Sequence, residues 1–233
     1  MPYRRLPNTD QARIRALKAV VAKADVQNLY DLAVSLKTLT EARNFLTRFE
    51  AAQSYYLQCF ERQSQAGHKH QANVKMARLY VSHFIQVLNL AVIRSEVRVA
   101  HKAYYGLPGD STNVPDLSTE TALVEWGRKI IDGEAKRTSQ GGIPIYNPTI
   151  AKVRVHYDIF TDSYDRQKNL QALTARSLES LSAMRTTADE LILDIWNQVE
   201  NVSPNEKRLD LCRDYGLIYY YRTGEKRKEE VNK

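Results

Sequence analysis

The sequence predicts an all-α protein, an antiparallel up-and-down bundle of about six helices with a small two-stranded β appendage, and three observations carry that prediction. Glycine and proline supply only 16 of the 233 residues, about 7%, where average usage gives roughly 12%. They are also bunched, since residues 8–66, 68–105 and 149–203 contain neither. Within those stretches apolar residues recur every three or four positions, the spacing that lines one face of an α-helix. A turn-rich β-sandwich, a collagen-like chain and a low-complexity linker all need more glycine and proline than this. With 43% hydrophobic residues, the chain is long enough to bury a core without covalent or metal staples.

Each element has its own signal. Asn8-Thr9-Asp10 precedes Ile14, Leu17, Val20 and Val21, a cap followed by one apolar face, so a first helix is expected to about residue 24. Residues 25–35 are too short and too loosely periodic to assign. Thr38 and Glu41 form a capping-box pattern ahead of Phe45, Phe49, Ala52, Tyr56 and Phe60. That second helix is expected to end at Gly67, inside the polar run Gln65-Ala66-Gly67-His68. A third, from about residue 70 to 103, carries Met76, Leu79, Tyr80, Phe84, Val87 and Leu88 together with Val81, Ile85 and Leu90. Being apolar nearly all round, it belongs at the centre of the bundle.

Gly106, Pro108, Gly109, Asp110 and Pro115 make residues 104–118 a long loop. Thr119 or Thr121 then opens a helix carrying Leu123, Trp126, Ile130 and Ile131, which ends by about residue 138 before Gly141-Gly142. Asn147-Pro148 reads as a cap with proline at the first helical position, and Ile150, Val153, Tyr157, Phe160 and Tyr164 follow in steps of three and four. The run Thr186-Thr187-Ala188-Asp189-Glu190 has the form of another capping box, and one unbroken helix from 148 to 201 would be about 80 Å long at 1.5 Å per residue. A break is placed there, with one helix or two left open. Leu191, Ile192, Ile195, Trp196 and Val199 line the next face, and a last helix is expected from Asn205 to Tyr215. Leu217-Ile218-Tyr219-Tyr220-Tyr221 is strand-like, and Ile143-Pro144-Ile145-Tyr146 is the partner expected for it. Residues 1–223 read as one domain and 224–233 as a charged, disordered tail.

Four phrases, Met1 to Asp10, Ala77 to Asn89, Glu125-Trp126-Gly127 and Gly142 to Ile150, resemble an uncharacterised group of helical-bundle proteins from Bacteroidetes, and the similarity covers nearly the whole chain. The resemblance implies a full-length helical domain in a bacterium. It brings no activity, cofactor or site residue with it.

The net charge is +7 and the pI about 9.3. The excess belongs to residues 1–105, where sixteen Lys and Arg meet seven Asp and Glu. Such a field favours an anionic partner: nucleic acid, an anionic membrane surface or an acidic protein. Cys59 and Cys212 have no CxxC or Cys/His companions, which excludes a zinc framework and leaves two free buried thiols expected. No apolar leader opens the sequence, and the most apolar stretch, Met76 to Ile93, is interrupted by Arg78, Ser82, His83, Gln86 and Asn89. A cytoplasmic protein with no membrane association is therefore expected.

None of the 14 glutamates has a histidine three residues later, so the Glu-x-x-His pairs of di-metal bundles are missing. Phosphate-loop, dinucleotide, esterase and zinc-protease motifs are missing too. No metal, no cofactor and no catalytic residue are expected on these grounds. Arg94, Arg98 and Lys102, four apart at the end of the third helix with His101 beside them, are the candidate contacts to an anion or nucleic acid. The ordinary alternative is that they offset the helix dipole. Tyr104, Tyr105, Tyr146, Tyr219, Tyr220 and Tyr221 are a candidate interaction surface, against plain packing of loops on helix ends. His83, between Ser82 and Gln86, could anchor an unrecognised active site beside the 104–118 loop, or belong to a hydrogen-bonded polar stripe. The function expected is a non-enzymatic interaction or structural role with a protein partner or a second copy of the chain. Nucleic-acid binding through the basic first half comes second, and an enzyme around His83 third.

Overall fold

The computed structural model describes residues 3–202 and 208–220. It contains α1 (Asp10–Val26), α2 (Leu36–Ile93), α3 (Glu120–Ser139), α4 (Ile150–Val202) and α5 (Arg208–Asp214), with strands β1 (Tyr3–Arg4) and β2 (Tyr219–Tyr220) in one antiparallel sheet. The all-α class with a small β appendage is thus the observed one. The expected tail at 224–233, and Tyr221, lie outside the described residues.

Two helix starts are where local chemistry puts them. Thr9 accepts from the N–H of Ala12 at 3.2 Å to cap α1, and Thr119 accepts from that of Ala122 at 3.1 Å to cap α3. Elsewhere the expected boundaries move. Ser35, not Thr38, caps α2, its Oγ accepting from the N–H of Thr38 at 3.2 Å. Gly67 does not end that helix. One interior glycine costs only about 1 kcal/mol, and α2 runs through it unbroken. Nor do residues 186–190 interrupt α4, because the Asp189 carboxylate takes the guanidinium of Arg13 at 2.7 and 2.9 Å instead of capping a helix. Thr149, not Asn147, starts α4, its carbonyl accepting from Lys152 and Val153 at 3.0 and 3.2 Å. The expected third helix stops at Ile93, not 103. Ser95 turns to a positive φ of 62° and Glu96 returns its N–H to Ala91 O, after which Val99–Tyr105 forms a 3₁₀ segment.

The strand partner is also corrected. Tyr3 faces Tyr220 and Arg4 faces Tyr219, with Arg5 N–H donating to Ile218 O at 2.7 Å. Residues 143–146 cannot serve, because buried side chains have taken their backbone groups. Ile145 N–H donates to Glu134 at 2.8 Å, and Ile143 O accepts from Arg137 at 2.8 Å.

The chain folds as two compact units, Met1–Cys59 with Thr174–Lys233, and Phe60–Leu173. In the first, Leu17, Phe49, Trp196 and Tyr215 are fully buried, and α1 is fastened to α4 by the Arg13–Asp189 and Arg185–Asp10 ion pairs. Here α2 and α4 run antiparallel, Ser35 meeting Gln198 and Thr38 meeting Asp194. Tyr215 ties the loop after α1, accepting from Ala33 N–H at 3.1 Å and donating to Gln27 at 3.0 Å.

In the second unit Phe84, Ile85, Leu88, Tyr105, Leu123, Ile130, Val153 and Phe160 form the core. The irregular stretch after Gly106 is fixed by polar side chains that seize its carbonyls. Arg78 donates to Leu117 and Ser118, Asn89 to Thr112, and the buried Lys102 to Ser111. α2 contains an eighteen-residue window of mean hydropathy 1.4, long and apolar enough to cross a membrane by length and composition alone, and 39% of that window is buried.

Candidate functional site: a basic groove between α2 and α4

Inside the second unit α2 and α4 again run antiparallel. Tyr80 stacks on His156 with ring centres 4.1 Å apart, and nearly three turns earlier in α2 His70 meets Ser163 at 2.9 Å. Val74, Ala77 and Val81 from α2, with Val153 and Phe160 from α4, are buried. Beside this packed seam the helices leave a groove of about 1050 Å³. Its charged lining is Arg62 and Lys69 from α2 and Arg166 and Asp162 from α4, all exposed, while Ile159 and Leu170 give it apolar wall.

His70 forms the floor and is 3% exposed. Its ring packs in a triangle with those of Phe160 and Tyr164, whose centres lie 6.0 and 6.3 Å away and 6.0 Å from each other. The one hydroxyl hydrogen of Ser163 goes to Phe160 O at 2.8 Å, so Nδ1 of His70 donates to Ser163 Oγ. Nε2 lies 3.2 Å from Oε1 of Glu120 without an aligned hydrogen bond. A small polar cavity of about 90 Å³, bordered by His70, Glu120 and Gln167, adjoins it. Among the described residues no three His, Cys, Asp or Glu side chains gather as a metal-binding group. What the groove offers is positive charge, hydrogen-bond donors and a short apolar wall.

The residues singled out from the sequence lie elsewhere. Arg94, Arg98, His101 and Lys102 do not form a row, because α2 ends before the first of them. Arg94 is held by Glu96 at 2.7 and 3.0 Å, Arg98 precedes the 3₁₀ segment, the His101 ring lies 5.6 Å from that of Tyr104, and Lys102 is buried. The tyrosines divide between the units, Tyr104, Tyr105 and Tyr146 in the second and Tyr219 and Tyr220 in the first. Tyr104 hydrogen-bonds Gln140 and Tyr146 is exposed, whereas Tyr105 is wholly buried, donating to Glu134 and accepting from Arg137 Nε at 2.7 Å. Burial, reinforced by the Glu134 carboxylate, pushes the Tyr105 phenol well above the ordinary tyrosine range. His83 is exposed, so it does not sit in a buried polar setting that an active site would need, whereas Asn89, from the same polar stripe, is buried and donates to Thr112 O in the loop.

No motif in the sequence marks Arg62, Lys69 and Arg166 as a group. Arg62 and Lys69 are seven apart, two helical turns on one face, but that signal is shared by many solvated pairs. Arg166 joins them only through the packing of α4. No family model, curated protein or solved structure matches the chain.

Proposed function

We propose that this protein is a non-enzymatic binding protein whose groove between α2 and α4 receives an acidic, amphipathic segment of a partner protein. The observation that carries the reading is the pairing of three exposed cations, Arg62, Lys69 and Arg166, with the apolar Ile159 and Leu170 in one groove of about 1050 Å³. The cations suit a row of carboxylates, and guanidinium forks hold carboxylates in a defined geometry. The apolar wall suits the opposite face of the same segment. Among the described residues no Phe, Tyr or Trp lines the groove, and such rings are the platforms on which single-stranded bases stack.

Fluorescence anisotropy tests this with a labelled helical peptide carrying Glu on one face and Leu on the other, beside a labelled oligonucleotide of equal length. The peptide is expected to bind at low ionic strength. The triple variant Arg62→Ala/Lys69→Ala/Arg166→Ala should lose roughly tenfold or more, since three exposed charge pairs contribute about 0.5 kcal/mol each. Tighter binding of the oligonucleotide with a steep salt slope would replace this reading with the nucleic-acid one. Failure of both probes at low salt would end it.

A further inference from the structure

The second unit's stretch of α2 is apolar on two faces, and only one of them is used. Ala77, Val81, Phe84, Ile85 and Leu88 fill the core. On the opposite side Met76, Leu79, His83, Gln86, Leu90 and Ile93 follow one another at intervals of three, four, three, four and three, the repeat that makes a coiled-coil seam. All six are exposed; Leu79, Leu90 and Ile93 keep 57%, 50% and 63% of their surface and Met76 40%.

The order of these six is a palindrome in character: two apolar, two polar, two apolar. We infer that α2 pairs with α2 of a second copy of this chain, antiparallel, about a two-fold axis passing between His83 and Gln86. In that register Met76 meets the partner's Ile93, Leu79 meets the partner's Leu90, and His83 meets the partner's Gln86. An isologous interface must be self-complementary in this way, and a partner of another sequence imposes no such symmetry. The amide of Gln86 both donates and accepts, so it satisfies the imidazole in either tautomer. One polar pair at the centre of an apolar seam is the device that sets register at some cost in stability.

Charge permits the pairing. Residues 70–95 contain no Asp or Glu, and the exposed cations flanking the seam are Lys75 and Arg94. The two-fold register brings Lys75 beside the partner's Arg94, which is already neutralised by Glu96 within the same copy. A carboxylate therefore stands where a bare cation would repel. Lipid is the competing cover for an apolar helix face, but it would leave His83 and Gln86 without hydrogen-bond partners at the middle of the buried strip.

Sedimentation equilibrium of the full-length protein, with detergent-free vesicles of neutral and of anionic lipid in parallel, tests the assignment. A dimer with a dissociation constant in the micromolar range or tighter is expected, and Leu79→Glu or Leu90→Glu should each abolish it while helical circular dichroism stays unchanged. The orientation is read by cysteine pairing under mild oxidation: Leu79→Cys mixed with Leu90→Cys should form a disulfide-linked heterodimer, and Leu79→Cys alone should not. A strictly monomeric wild-type protein, a dimer untouched by both Glu variants, efficient self-linking of Leu79→Cys, or vesicle binding by a protein that is monomeric in buffer would each overturn it.

Discussion

The hydroxyl of Tyr105 donates to Oε2 of Glu134 and accepts from Nε of Arg137 at 2.7 Å, so a phenol is built into a buried ion pair whose carboxylate is 0% and guanidinium 3% exposed. Arg137 also reaches Ile143 O, and Glu134 receives Ile145 N–H. Two ions thereby hold the turn between α3 and α4. Replacing Glu134 with Gln strands a guanidinium in the core, and urea unfolding should show a loss of about 3–5 kcal/mol. The double variant Glu134→Met/Arg137→Met removes both charges and should cost less than the single one. Equal stability of Glu134→Gln and wild type would mean that the pair carries no weight.

Alkaline pH should unfold the protein through its tyrosines. Tyr105, Tyr157 and Tyr219 are all held above the ordinary value of 10.0, in each case chiefly by burial. A raised folded-state value means that the contribution is intact below pH 10 and falls above it, because the unfolded phenols ionise first. Stability should therefore decline from about pH 10 upward. Phenolate absorbance from these residues should rise together with loss of helical circular dichroism. Complete ionisation of every tyrosine ahead of unfolding would contradict the burial.

Two glycines should respond to alanine with opposite sign. A Cβ at Gly133 would stand 2.6 Å from Tyr105 Cδ1 and 2.8 Å from Tyr104 O, and overpacking of that kind costs about 1–3 kcal/mol. At Gly67 the nearest atom is the flexible Gln167 Nε2 at 3.5 Å, and helix propensity favours alanine by about 1 kcal/mol. Thermal melts of the two variants should bracket the wild type.

The helix boundaries make a third contrast. Ser35→Ala removes the cap of α2 and should lose about 1 kcal/mol. Thr187→Ala lies within the continuous α4 and is exposed, so it should leave stability unchanged or slightly higher. A loss at Thr187 matching that at Ser35 would place a helix start where the structure has none.

The caps at Thr9 and Thr119 were legible because each needs only a hydroxyl and the three residues after it. The apolar positions of α2 were legible for the same kind of reason, but the expectation that they are enclosed on every side at the bundle centre is corrected: Met76, Leu79, Leu90 and Ile93 stay exposed because only the face carrying Ala77, Val81, Phe84, Ile85 and Leu88 meets the core. Gly67 and the run 186–190 misled because a glycine or a capping box states a local preference of about 1 kcal/mol, and packing on either side outweighs it. The row Arg94, Arg98 and Lys102 failed because its spacing has meaning only on a helix, and the chain leaves the helix at Ile93. Two-residue strands such as Tyr3–Arg4 carry no periodicity at all.

The shortage of glycine and proline by itself determined that this protein is helical, and the apolar spacing determined which helix faces are apolar, because both act within a few turns of one helix; which of the two apolar faces of α2 is buried was decided by tertiary packing. Tertiary structure alone decided that α2 and α4 run unbroken, that β1 and not residues 143–146 completes the sheet, and that Arg62, Lys69 and Arg166 share a groove. Those outcomes depend on residues a hundred positions apart competing for the same hydrogen bonds and the same apolar surface. No window of the sequence contains both competitors.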